Sequence, residues 1–193
     1  MLKNFIIIFI LALVFFSCKD PNTLFEANQS LKNGEWFYEN PLAFEFEIQD
    51  TTKSYTLYYN VRNEVNYAYY NLFVTYYMHY PDGKKIDSLL MDITLFNPKT
   101  GEPYGEGTGG IREHQLPAFR NFKFSQKGKY KYVFKQYMRQ NPLKGILSMG
   151  LRVAYTTPEE IEEMKAYEAE KAKNKPKSIF SERKNTPDST KKQ

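Results

Sequence analysis

Residues 67–96, YAYYNLFVTYYMHYPDGKKIDSLLMDITLF, hold the clearest structural instruction in this chain. Between Tyr67 and Tyr80, Leu72, Val74, Tyr76 and Met78 fall on one side of a period-two repeat, and Phe73, Thr75 and Tyr77 on the other. Side chains alternate across a strand, so the run reads as β structure that is apolar on both faces: a central strand covered on two sides, or one with a tyrosine-rich side open to a partner. Pro81-Asp82-Gly83-Lys84 follows. Proline presets its own φ, an aspartate carboxylate accepts from the backbone two residues on, and glycine takes positive φ, so this tetrad is a turn. Lys85 to Phe96 returns as a strand, making 67–96 one hairpin.

The same period extends outward from the hairpin. Upstream, Trp36 to Tyr38 is a short apolar piece, and beyond Pro41 the run Phe44-Glu45-Phe46-Glu47-Ile48 alternates cleanly, with acids on the wet face. Tyr55, Leu57, Tyr59 and Val61 alternate next. Downstream, Phe119, Phe122 and Phe124 lead into the turn Gln126-Lys127-Gly128-Lys129. Tyr130, Tyr132 and Phe134 then share one face of a strand reaching Arg139, with a bulge expected near Gln136. After a turn at Asn141–Gly145, Ile146 to Tyr155 is the last strand, with Leu147, Met149, Leu151 and Val153 expected on its buried side. Asn97 to Gln115, which holds Gly101, Gly105, Gly107, Gly109 and Gly110, reads as a hairpin loop with a bulge; no Gly-Lys-Ser or Gly-Lys-Thr follows to cradle a phosphate. About eight short strands with turns between them predict an all-β, antiparallel β-sandwich, Ig-like or jelly-roll-like, over residues 35–157.

Composition agrees with strands. Aromatics are 17% of the 193 residues, with 16 Tyr and 15 Phe against one Trp, the vocabulary of pleated surfaces. The net charge of +5 gathers near the C-terminus and gives no reason to expect nucleic acid. Thr157-Pro158-Glu159-Glu160 combines a hydroxyl cap, a first-turn proline and acids, so a helix is predicted over 158–173, with Ile161, Met164 and Tyr167 on a narrow apolar face. The Lys-, Ser-, Thr- and Pro-rich residues 174–193 are expected to be a disordered basic tail.

The N-terminus sets the compartment. Met1-Leu2-Lys3-Asn4 is a basic start, and Phe5 to Phe16 is an apolar run that ends at Ser17-Cys18. It is short for a bilayer span, which needs about 20 residues, so 1–17 reads as a signal peptide. A small residue before cysteine resembles the bacterial lipobox, although Phe15 and Phe16 depart from its aliphatic and small preferences. In that chemistry the Cys18 thiol receives a diacylglycerol and the bond before it is cut; several acyl chains, at about 0.8 kcal/mol per buried CH₂, then hold the protein to a membrane. Residues 18–34 are expected to be the lipidated tether.

Little points to catalysis. Cys18 is the only cysteine, so the folded part can hold neither a disulfide nor a thiol nucleophile. His79 and His114 lack any zinc-protease spacing, Asp82, Asp87 and Asp92 read as solvated faces, and Ser88, Ser125 and Ser148 have no nucleophile-elbow context. The expectation is a non-enzyme without cofactor or metal.

Pro81-Asp82-Gly83, the segment Gly105 to Gly110, Gln136-Tyr137-Met138-Arg139, Leu143-Lys144-Gly145-Ile146 and Gly150-Leu151-Arg152-Val153 together resemble the GldH gliding-motility lipoprotein family of Bacteroidota. The likeness runs from Cys18 to about Thr157. It implies an envelope lipoprotein, anchored in the outer membrane, that works with other motility and secretion lipoproteins linked to type IX secretion. On that reading Tyr69, Phe73 and Tyr77 are the candidate partner-binding rings. The alternative is a surface lipoprotein that binds carbohydrate through exposed aromatics; a hydrolase ranks below both.

Overall fold

The alternating segments fold as strands because each has one apolar face to bury, and two such sheets bury them against each other. The computed structural model describes residues 20–173. In sheet I, β1 (Thr23–Ser30), β10 (Ile146–Tyr155), β4 (Tyr55–Glu64) and β7 (Ile111–Phe122) lie side by side in that order. Sheet II orders β3 (Leu42–Ile48), β8 (Gly128–Gln136), β5 (Asn71–His79) and β6 (Lys85–Thr94). A two-residue pair, β2 (Glu35–Trp36) with β9 (Leu143–Lys144), stands apart. Every pairing is antiparallel. The chain crosses between sheets at nearly every step, and the interleaved order is that of a jelly roll rather than an Ig domain.

The core follows the sequence period. Phe44, Phe46 and Ile48, then Tyr55, Leu57, Tyr59 and Val61, then Leu72, Val74, Tyr76 and Met78, then Tyr130, Tyr132 and Phe134 are all buried. Each fully buried large side chain contributes roughly 1.5–3 kcal/mol against exposure. Tyrosines carry hydroxyls into this core, and they are answered across it: the Tyr59 and Tyr132 hydroxyls meet at 2.5 Å, joining sheet I to sheet II. The Tyr59 ring also stands edge-on to Phe134 at 4.9 Å, and Tyr76 edge-on to Phe119 at 5.3 Å. The hairpin forms as expected, closed by Tyr80 N–H donating to the Lys84 carbonyl and Gly83 N–H to that of Tyr80.

Four expectations are corrected. Residues 18–34 are not all tether, because Thr23–Ser30 is strand β1, paired along β10, followed by a 3-10 turn at Lys32–Gly34. As an edge strand β1 buries only half its pattern, chiefly Phe25 against Phe46 at 5.9 Å, which leaves a faint apolar signal. The loop over 97–115 stops at Gly110, for Ile111–Phe122 is a twelve-residue strand. Pro117 interrupts its pattern and is tolerated because β7 is an edge. Ile146, not Leu147, enters the core, since the β10 register shifts between Ile146 and Ser148. Finally, β8 runs without a bulge to Gln136, which is buried and paired opposite Val74.

The helix α1 (Pro158–Lys173) forms a separate unit, with Glu159 and Glu160 in its first turn as predicted. The signal peptide over 1–17, Cys18 and the tail over 174–193 lie outside the described residues.

Candidate functional site

Asp20 is the first described residue, and it is bound to the sheet. Its carboxylate accepts from the Asn22 amide at 2.9 Å, and its carbonyl from the Thr23 amide at 3.0 Å. The other carboxylate oxygen takes the guanidinium of Arg152 on β10. The Asn22 amide foremost, with the Arg152 charge, lowers the Asp20 pKa below the usual carboxylate value. Arg152 itself is only 12% exposed. Its Nε donates to Thr23 Oγ1 at 3.0 Å, one terminal nitrogen donates to Gln115 Oε1 at 2.9 Å, and the guanidinium lies 4.8 Å over the Tyr58 ring. Three strands and the segment ahead of β1 therefore converge on one side chain.

Strand registers fix which end this is. Ile48 pairs with Gly128, and Tyr55 with both Tyr155 and Phe122, so the connections 49–54 and 123–127 lie at the same end as Asp20. The 80–84 turn joins them, with Pro81 against Gly128. This end presents Lys53, Lys84, Lys123 and Lys127. Its aspartates are occupied locally: Asp50 accepts from Thr52 at 2.6 and 2.9 Å, and Asp82 from the Lys84 amide at 2.9 Å. Lys53 lies 4.4 Å over the Tyr155 ring.

The second feature is the outer face of sheet II. Phe73 and Tyr77 project there from β5, half-buried, with Thr75 between them. Tyr69 sits instead on the turn before the strand, its hydroxyl 3.4 Å from Gln140 Oε1 and its ring edge-on to Tyr67. Of the three predicted rings, only Tyr77 lines a shallow hollow of about 400 Å³, together with Tyr38, Lys135, Tyr137, Met138 and Arg139. Phe73 borders it through the backbone, its amide directed at Met138 Sδ and its carbonyl accepting from Tyr137. Tyr137 is 68% exposed and Tyr38 51%. Sequence reasoning missed both because neither lies in a period-two run.

The remaining candidates are scattered. His114 is buried with Nε2 2.9 Å from Asn63 Oδ1, and burial lowers its pKa; His79 lies on the other sheet. Asp87 accepts from the Tyr76 hydroxyl and Asp92 from Asn71, so both brace the hairpin.

Against known proteins, the sequence pattern of the family described as GldH lipoprotein matches residues 23–153. The chain is 36% identical over 156 residues to a gliding motility lipoprotein GldH homolog of Christiangramia forsetii, covering 77% of this chain and 93% of that protein. It is 32% identical over 160 residues to the gliding motility lipoprotein GldH of Flavobacterium johnsoniae, covering 79% and 96%. Among solved structures, an arabinose-bound α-L-arabinofuranosidase shares 9% identity at a TM-score of 0.34, covering 70% of this chain and 20% of that one, a likeness too slight to bear on function.

Proposed function

This chain belongs to the GldH lipoprotein family, and from that premise we propose that it is a non-catalytic assembly component of gliding motility, seated against an envelope membrane by lipid on Cys18. The observation that carries the seating is the fixing of Asp20 by Arg152. Only Lys19 separates Cys18 from Asp20, and two residues reach at most about 7 Å, so an acylated Cys18 holds the sandwich end within a headgroup's depth of the bilayer. The end so held is the one that carries Lys53, Lys123 and Lys127, which suits anionic headgroups, while Lys84 is paired with Asp82 at 3.3 Å.

The hollow around Tyr77 and Tyr137 then faces sideways and is the docking surface for envelope partners, among them the motility and type IX secretion lipoproteins of the outer membrane. Rigid tyrosines flanked by Lys135 and Arg139 offer large contact area with polar tips and cations. The test has two parts. Cys18→Ala should leave the membrane fraction and lose the acyl mass at the mature N-terminus, while Tyr77→Ala with Tyr137→Ala should stay acylated and lose its co-purifying envelope proteins. A Cys18→Ala form that sediments with membranes like the parent sinks the anchoring, and a double variant with undiminished partners sinks the docking surface.

A further inference from the structure

The outer face of sheet I carries a polar surface, joined at one edge to the Arg152 cluster through Gln115, that the aromatic hollow does not use. Asn28, Gly150, Asn60 and Gln115 form one row across its four strands, with Arg62 and Glu113 in the next. Gly150 is the key to this floor: a Cβ there would lie 1.9 Å from Asn28 Oδ1 and 2.7 Å from the Ala27 carbonyl, so the bare backbone lets Asn28 lie across β10. Asn60 Nδ2 donates over the same gap to Glu26 Oε1 at 2.8 Å, and Gln115 Nε2 donates to Asn60 Oδ1 at 3.2 Å. Among the described residues the side-chain amide of Asn28, unlike its ladder-paired backbone, makes no hydrogen bond.

A wall rises beside the floor, made by Tyr104 to Gly107. It is fixed by reciprocal backbone bonds between Glu106 and Glu113, at 2.9 and 2.7 Å, and by the Tyr104 amide on the Leu95 carbonyl at 2.8 Å. Gly105, at φ 80°, is pressed against the Glu113 carbonyl, where a Cβ would come within 2.6 Å. Floor and wall enclose an open groove of about 920 Å³, with the Tyr104 ring 44% exposed at its lip.

We propose that this groove binds a neutral glycan chain. The Asn28 side-chain amide and the second N–H of Asn60 offer a donor and an acceptor to sugar hydroxyls that both give and accept, while Gln115, whose N–H groups go to Asn60 and Glu26 and whose oxygen takes Arg152, holds Asn60 in place before a ligand arrives. The Tyr104 ring offers an apolar plane for the C–H face of a sugar ring. Charge excludes the acidic alternatives: Glu26, Glu106 and Glu113 line the groove against Arg62, which Glu113 already holds at 2.8 Å. A phosphate or uronate would meet net repulsion. The wall of the groove lies toward the end away from Asp20, while its floor meets the Arg152 cluster through Glu26 and Gln115.

Calorimetry on the detergent-solubilised full chain tests this with chitohexaose, cellohexaose and mannohexaose as neutral probes and hexagalacturonate as the anionic one. The acetamido groups of chitohexaose separate a wall-type glycan from the unsubstituted polymers. The expected result is binding of at least one neutral hexasaccharide with Kd on the order of 0.1 mM, and none of hexagalacturonate. Asn60→Ala with Gln115→Ala should weaken that binding about tenfold or more, a loss on the scale of 1.4 kcal/mol, whereas Tyr77→Ala on sheet II should leave it unchanged. Should the amide double variant fail to fold, Tyr104→Ala on the exposed wall decides, with a loss of severalfold expected. Silence from all three neutral probes, equal binding of hexagalacturonate, or full binding by the folded variants overturns the proposal.

Discussion

Raising the pH should unfold this protein in one cooperative step, and the size of the effect follows from its tyrosines. Tyr55, Tyr59, Tyr67, Tyr76 and Tyr132 are buried in the core. Burial foremost raises each phenol's pKa, that of Tyr55 to about 12 and the others above their usual value of 10.0. A group whose folded pKa is raised stabilises fully below its unfolded pKa and loses that contribution as pH climbs toward the folded value. At pH 11 the unfolded chain gains about 1.4 kcal/mol for each such tyrosine, or about 7 kcal/mol for the set, which matches a typical whole-domain stability of roughly 5–15 kcal/mol. Tyrosinate absorbance near 295 nm, followed beside far-ultraviolet circular dichroism, reads this directly. The buried set should ionise only as the dichroism collapses, between about pH 11 and 12. One smooth ionisation of all 16 tyrosines near pH 10 with native dichroism would refute the buried-phenol core.

Two substitutions probe sheet I. Arg152→Met strips Asp20, Thr23 and Gln115 of a shared partner and should lower Tm by several degrees, with amide exchange at Asn22 and Thr23 rising first; unchanged exchange there would mean Arg152 does not hold the N-terminus. Gly150→Ala should destabilise by about 2 kcal/mol or more in denaturant titration, and adding Asn28→Ala should restore only part of it, because the Ala27 carbonyl still meets the new methyl. Complete rescue would show that the backbone yields and Asn28 alone was the obstacle.

The central strands were legible because each buries one clean face: Phe44 to Ile48, Tyr55 to Val61 and Leu72 to Met78 all sit in the core as their spacing says. The edges were not. β1 has only Leu24, Phe25 and Ala27 to show, and β7 hides behind Pro117 and a register shift near Leu57 and Tyr58. Edge strands bury less and tolerate proline, so their pattern is weak by construction. The groove was beyond reach for a different reason. Asn28, Asn60, Gln115 and Gly150 come from four strands, and only pairing aligns them; the sole local hint was a glycine inside an otherwise apolar strand. Tyr77 was picked out as a candidate because it lies on the hairpin, while Tyr137 and Tyr38 reach the same hollow from outside any period-two run.

The short link ahead of β1 also has a mechanical side. A pull on Cys18 along the axis of β1 meets the whole ladder from Thr23 opposite Ala154 to Ser30 opposite Ser148, and loads its rungs together in shear instead of peeling them one at a time. Under the acylation of Cys18 proposed above, tension between membrane and sandwich would pass through Asp20 and β1 to β10, which is wedged between two neighbours and cannot be drawn out alone. A coupling of this kind is stiff, and it passes force where a long floppy leash would absorb it.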